Sequence, residues 1–165
     1  MTEKWIKAFL HEDKYEVSSL GKIREINSKR LCKQYLDNFG YWTISIEMQG
    51  EDLVEVPVHK IVYQSFHKGL FMPTSWYPKE KYSIHHTDGN KSNNKLNNLV
   101  LLDNETHKLI HETVALMSKY NNKITVKEVT NRILKNKNIS IECNICCCRR
   151  EIAKTKPNTA EIKKR

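Results

Sequence analysis

From Trp5 to about Glu55 the chain runs in short stretches where apolar and polar residues mix at close spacing: YEVSSLGKIREI, RLCKQYL and YWTISIEM. Turn-prone Asn27-Ser28, Asp37-Asn38-Phe39-Gly40 and Gln49-Gly50 separate them. Side chains alternate across a strand, so such runs bounded by turn residues predict a small antiparallel sheet. The period then changes. Val58, Ile61, Val62 and Phe66 fall at helical spacing in VHKIVYQSF, which predicts a short amphipathic helix packed on that sheet. A loop carrying Pro73, Trp76 and Pro78 follows.

A second unit begins at Ser83. Ser83 to His86 predicts a strand end, Thr87 to Asn98 a long polar loop, and Leu99 to Leu102 (LVLL) a buried strand. Asp103 is a good N-cap for a helix from Asn104 to about Tyr120, with Glu105 in its first turn facing the positive end of the helix dipole. Asn121-Asn122 ends that helix, and TVKEVTNRILKN predicts another short one. From Arg149 to Arg165 there is almost no large apolar residue, so a tail without a core is expected. The fold class expected is α+β: a sheet module over 1–70, a strand-loop-strand-helix unit over 71–120 and a helical, basic extension over 121–165.

Composition narrows the class. A chain of 165 residues is the size of one domain with appendages. With 39% apolar residues, 28% charged residues and a mean hydropathy of −0.65, it predicts a modest core and much solvated surface. No stretch approaches the ~20 apolar residues of a spanning helix, and the first residues lack a signal peptide's pattern, so a cytoplasmic location and no membrane partner are expected. The net charge of +9 attracts polyanions, nucleic acid first among them, although a merely solvated basic surface gives the same number. Four of the five cysteines crowd into Cys143, Cys146, Cys147 and Cys148, which is no spaced disulfide framework and fits a reducing compartment.

Four of the seven histidines lie in IHHTDGNKSNNKLNNLVLLDNETHKLIHE. His107 and His111 stand one helical turn apart on one face and can share a cation. His85 and His86 are adjacent on a strand and point to opposite sides, so one of them can join that cation while the other faces elsewhere. Three imidazoles with an open coordination position suit a Lewis-acid metal on a phosphate oxygen, and a remaining neutral histidine suits a general base for water. Either pair alone is equally a solvated polar surface. Around one strand-loop-strand unit they point together to phosphodiester hydrolysis. Asn90, Asn93, Asn94, Asn97 and Asn98 are of the type that braces loops through backbone hydrogen bonds.

These residues, HHTDGNKSNNKLNNLVLL followed by HKLIH, resemble the HNH (ββα-metal) endonuclease motif. The resemblance implies a metal-dependent DNA endonuclease in which His86 is the general base and Asn98 fixes the loop that holds it. It also implies His85, His107 and His111 as metal ligands, the all-histidine set being that of the colicin-type members. Upstream, YEVSSLGKIR, GYWTISI and VHKIVYQSF resemble the N-terminal module of phage homing endonucleases with this motif. That resemblance implies contacts to double-stranded DNA, for which Lys22, Arg24, Lys29, Arg30 and Lys33 are the candidates, or else a solvated face. In the phage group Asp precedes the base and Asn is the helix ligand. Histidine at both places softens the donor set, so Zn, Ni or Mn suit it as well as Mg. A C-terminal helix-turn-helix, frequent in that group, is not evident after Tyr120.

Cys143 and Cys146 form a CxxC, half of a structural zinc site, and free thiols are the competing reading. Two rival functions remain: a DNA-binding protein that keeps the motif without cutting, and a zinc-stabilised interaction module built on those cysteines.

Overall fold

The computed structural model describes residues 2–9, 11–47, 53–67, 82–120 and 123–137. The 73–78 loop, the Gln49-Gly50 and Asn121-Asn122 turns, Cys143, Cys146 and the 149–165 tail lie outside the described residues.

Strands β1 (Trp5–Lys7), β2 (Tyr15–Ser18) and β3 (Ile23–Glu25) form one antiparallel sheet in that order. Strands β4 (Tyr35–Leu36), β5 (Trp42–Glu47) and β6 (Leu53–Pro57) form a second. Helix α1 (Val58–Phe66) follows directly and coincides with the helix expected from the apolar spacing. The antiparallel ribbon of β7 (Tyr82–His86) and β8 (Leu99–Asp103) leads into α2 (Asn104–Lys119) and then α3 (Val126–Asn136). The α+β class holds, with the N-terminal strands divided between two small sheets.

The run from 15 to 26 is a hairpin because its middle turns the chain. The Ser18 hydroxyl accepts from the backbone N–H of Leu20 and Lys22, each at 3.1 Å, and Gly21 sits at φ 87°, a conformation only glycine adopts freely. RLCKQYL yields only a bridge from Leu31 to Arg24 and the short β4.

Two apolar clusters share β8. Leu99 and Leu101 pack with Val17, Ile23, Ile44, Ile46, Val58, Ile61, Val62 and Tyr63 of the N-terminal sheets and α1. Val100 and Leu102 pack with Ile110 of α2 and Val129 and Leu134 of α3. Alternation along a single strand therefore joins two cores, and β7 carries the same division beside it. No helix among the described residues is long and apolar enough to cross a membrane.

Candidate metal and proton-transfer site

In the β7–β8 register His86 lies opposite Leu99 and His85 opposite Val100, so the two imidazoles inherit the two faces of the ribbon. Both are buried.

On the His85 face, α2 brings up His107 and His111. Its start is fixed by Asp103, whose carboxylate accepts from the Thr106 backbone N–H and hydroxyl, both at 2.7 Å. Ile110, fully buried in the second cluster, sets the rotation that turns His107 and His111 toward β7. The ring centroids are 5.1 Å apart for His85 and His107, 5.3 Å for His85 and His111, and 4.7 Å for His107 and His111. One ring nitrogen from each lies within 4.8 Å of the others, and the Nε2 atoms of His107 and His111 are 3.2 Å apart. Two nitrogens bound tetrahedrally to one ion at ~2.05 Å stand roughly 3.4 Å apart, so the pair is spaced to share a divalent cation. Burial first, then the neighbouring His107 and His111, push His85 down to about 3, and burial also lowers His107. Neutral imidazoles present lone pairs to a cation without first losing a proton. The donor set therefore fits a divalent metal.

Helix α3 supports this face. The fully buried Thr130 hydroxyl lies 3.2 Å from His85 Nε2. Val126 presses on Gly89, where a Cβ would come within 2.9 Å of Val126 Cγ2. Lys137 Nζ donates to Thr106 Oγ1 at 2.7 Å.

On the His86 face the surroundings come from the N-terminal part. His86 Nε2 is 3.0 Å from Asn94 Oδ1. An amide oxygen can only accept, so Nε2 carries the hydrogen and Nδ1 keeps its lone pair. The imidazole lies edge-on to His59 at 5.1 Å and tilted to Tyr41 at 6.1 Å. Burial pushes His86 below the usual histidine range against the opposing effect of its hydrogen bond to Asn94, which leaves the imidazole neutral at pH 7. His59 is buried, its Nδ1 lacks a hydrogen-bond partner, and burial followed by the nearby His86 drives it down to about 3. Asn94 is pinned from behind by the β2–β3 turn. A Cβ on Gly21 would lie 2.9 Å from Asn94 Cβ, and the Leu96 N–H donates to the Ser19 carbonyl at 2.9 Å.

Asn98 closes the loop between the strands. Its Oδ1 accepts from the Thr87 hydroxyl at 2.7 Å and the Asp88 N–H at 3.1 Å, and its Nδ2 donates to Asp88 Oδ1 at 2.9 Å and the Asn93 carbonyl at 2.8 Å. Burial raises the Asp88 carboxyl, but hydrogen bonds from Asn93, the Asn90 backbone and Asn98 outweigh it and hold the group below its usual range.

The N-terminal cations are largely engaged within the chain. Lys22 pairs with Glu3, Arg24 and Lys29 with Glu16, and Arg30 with Glu25. The Arg24 guanidinium also lies 3.9 Å from the Trp5 ring centroid. Lys33 is exposed. Sequence alone groups Asn94 with the other loop asparagines and passes over His59 and Thr130. Thr130 reaches His85 from 45 residues away, for which a sequence offers no local signal, and Asn94 meets His86 within the loop but is backed by Gly21 from the N-terminal hairpin; His59 is one of several buried polar side chains on α1, with Gln64 and Ser65.

Residues 76–109 match the family model described as HNH endonuclease. Among solved structures the chain is similar to one described as "DNA binding and cleavage by the HNH homing endonuclease I-HmuI", at 24% identity over 84% of this chain and 68% of that one, with a TM-score of 0.49. No curated protein matches.

Proposed function

We propose that the protein is a metal-dependent endonuclease that hydrolyses phosphodiester bonds in double-stranded DNA with His86 as general base, in the manner of a phage homing endonuclease. The observation that carries this reading is the division of an adjacent histidine pair: His85 joins His107 and His111, and His86 stands on the other face with its Nε2 proton directed to Asn94.

His85, His107 and His111 would hold a divalent ion. When bound it would act as a Lewis acid on the phosphate and offset charge developing there. Mg, Mn, Zn and Ni are the candidates, the imidazole donors favouring the softer three. His86 Nδ1 takes a proton from water, and Asn94 keeps the ring in the orientation and tautomer that leave this nitrogen free. Asn98 acts further back, holding the Asp88 turn that sets the end of β7. Thr130 fixes the His85 ring, a role that outer hydrogen bonds commonly play for ligating histidines.

DNA contacts by the N-terminal sheet belong to the same reading. The pairs made by Lys22, Lys29 and Arg30 are open to solvent and weak, so these cations can exchange a carboxylate for a phosphate. Arg24, held by both Glu16 and Trp5, serves the sheet itself. The division into 1–70, 71–120 and 121–165 is a functional one, since Leu99 and Leu101 place both of the first two parts in one core.

The test is incubation of supercoiled plasmid, and of genomic DNA from the source, with the protein in Mg, Mn, Ni or Zn. Nicked or linear product with at least one metal, and none with His86→Ala, is expected. An absence of cutting with every metal and substrate contradicts the enzyme reading.

A further inference from the structure

Beside the histidines lies a cleft of about 420 Å³, within the ~300–1,000 Å³ usual for small-molecule sites. One wall is the β4–β5 hairpin with Phe39 and Tyr41, the other is β7 with Tyr82 and Ile84, and His59 and His107 both line it. His107 places the cleft next to the proposed phosphate position.

The hairpin tip is an unusual wall. Phe39 is 76% exposed, yet its backbone is tied on every side. Asp37 Oδ1 accepts from the Phe39 N–H at 2.9 Å and the Tyr41 N–H at 2.8 Å, and the Phe39 carbonyl accepts from Lys91 Nζ at 3.0 Å. The same ammonium sits 4.6 Å from the Tyr41 ring centroid. An exposed aromatic ring on a backbone this constrained loses little freedom on meeting a flat partner. His59, only 6% exposed, also lines the cleft, with its Nδ1 covered by the fold.

We propose that this cleft receives the nucleotide flanking the scissile phosphate, unstacked from its duplex, with its base against Phe39. The proposal rests on the nuclease reading for the position of the phosphate. The aromatic face supplies stacking without sequence preference, and Lys91 and Lys60 add positive charge beside the backbone. Pulling a base aside opens the strand around the phosphate and gives His86 access to water there. The costs of unstacking are met by contacts that intact duplex cannot make.

A mixed-sequence duplex oligonucleotide carrying 5-iododeoxyuridine at several thymine positions is bound to the full chain in EDTA, irradiated, and the crosslinked peptide identified by mass spectrometry. A crosslink at Phe39 or Tyr41 is expected. Phe39→Leu should reduce its yield and weaken binding by roughly tenfold, while Phe39→Tyr restores both, because the loss tracks the aromatic ring and not apolar bulk. Crosslinks found only on the outer sheet surface, or equal yields from Phe39→Leu and wild type, overturn the proposal. Plasmid nicking on the same proteins separates the two readings. Nicking without a crosslink at the cleft removes this proposal and leaves the nuclease, whereas a Phe39-dependent crosslink without nicking supports the cleft and removes the nuclease.

Discussion

The two faces of the β7–β8 ribbon carry opposite halves of the site and owe them to different parts of the chain. The His86 face is built by the N-terminal sheets and α1: Tyr41, His59 and the Gly21 turn behind Asn94 surround one imidazole and its hydrogen bond to Asn94. The His85 face is built by the two helices C-terminal to β8: α2 brings His107 and His111, and α3 brings Thr130. In the proposed mechanism the first face would handle the proton and the second would hold the cation. The alternation that separates Leu99 from Val100 into two cores separates these histidines as well. Each face should then be open to damage without loss of the other.

The largest expected effects are on stability. Leu99→Ala and Leu102→Ala remove equal volume from the two cores, and each should lower unfolding free energy by ~2–5 kcal/mol in urea titrations. Native-state hydrogen exchange should distinguish them, with Leu99→Ala loosening amides of α1 and Leu102→Ala those of α3. Identical patterns from both would show that the faces are not separable.

Thr130→Val and Asn94→Leu are the next step, since each removes one hydrogen bond to one histidine. Loss of such a partner costs a ligating histidine ~10–100-fold in metal affinity, so Thr130→Val should weaken metal binding by that factor in calorimetry. Asn94→Leu should leave metal binding unchanged and reduce cleavage, measured as the single-turnover nicking rate. A metal defect in Asn94→Leu would break the comparison.

Near neutral pH the smallest effect is a pH dependence. His59 is folded with its pKa depressed to about 3, from a usual ~6.5, so the native state binds fewer protons than the unfolded one between those values. Its contribution is fully present above pH ~6.5 and is lost as pH falls toward 3, at no more than ~1.4 kcal/mol per unit. Denaturation midpoints of wild type and His59→Phe should diverge as pH drops, the variant losing less.

Much of this arrangement is visible in the amino-acid order where the physics is local. Val58, Ile61, Val62 and Phe66 mark α1, Asp103 marks the start of α2, and LVLL marks β8, because periodicity and capping act within a few residues. The hairpin at Gly21 is hidden inside an apparently continuous run, since it depends on one serine hydroxyl and one glycine dihedral. The edge strand β6 leaves Leu53, Val54 and Glu55 exposed, which blurs its alternation. The site obeys the same rule. The adjacent and one-turn-apart spacings bring out His85, His86, His107 and His111, whereas Asn94, His59 and Thr130 acquire their places through packing between distant segments. The N-terminal cations read as free charge because Glu3, Glu16 and Glu25 meet them through strand pairing and turns.

Whether proton transfer and metal binding occupy separate faces is decided by titrating Zn or Mn into His86→Ala by calorimetry beside the wild type, with plasmid nicking on the same samples. Equal metal affinity and stoichiometry are expected, with nicking reduced by roughly 10²–10⁴-fold. A metal affinity that falls with the nicking rate, or nicking that survives the substitution, would contradict that arrangement.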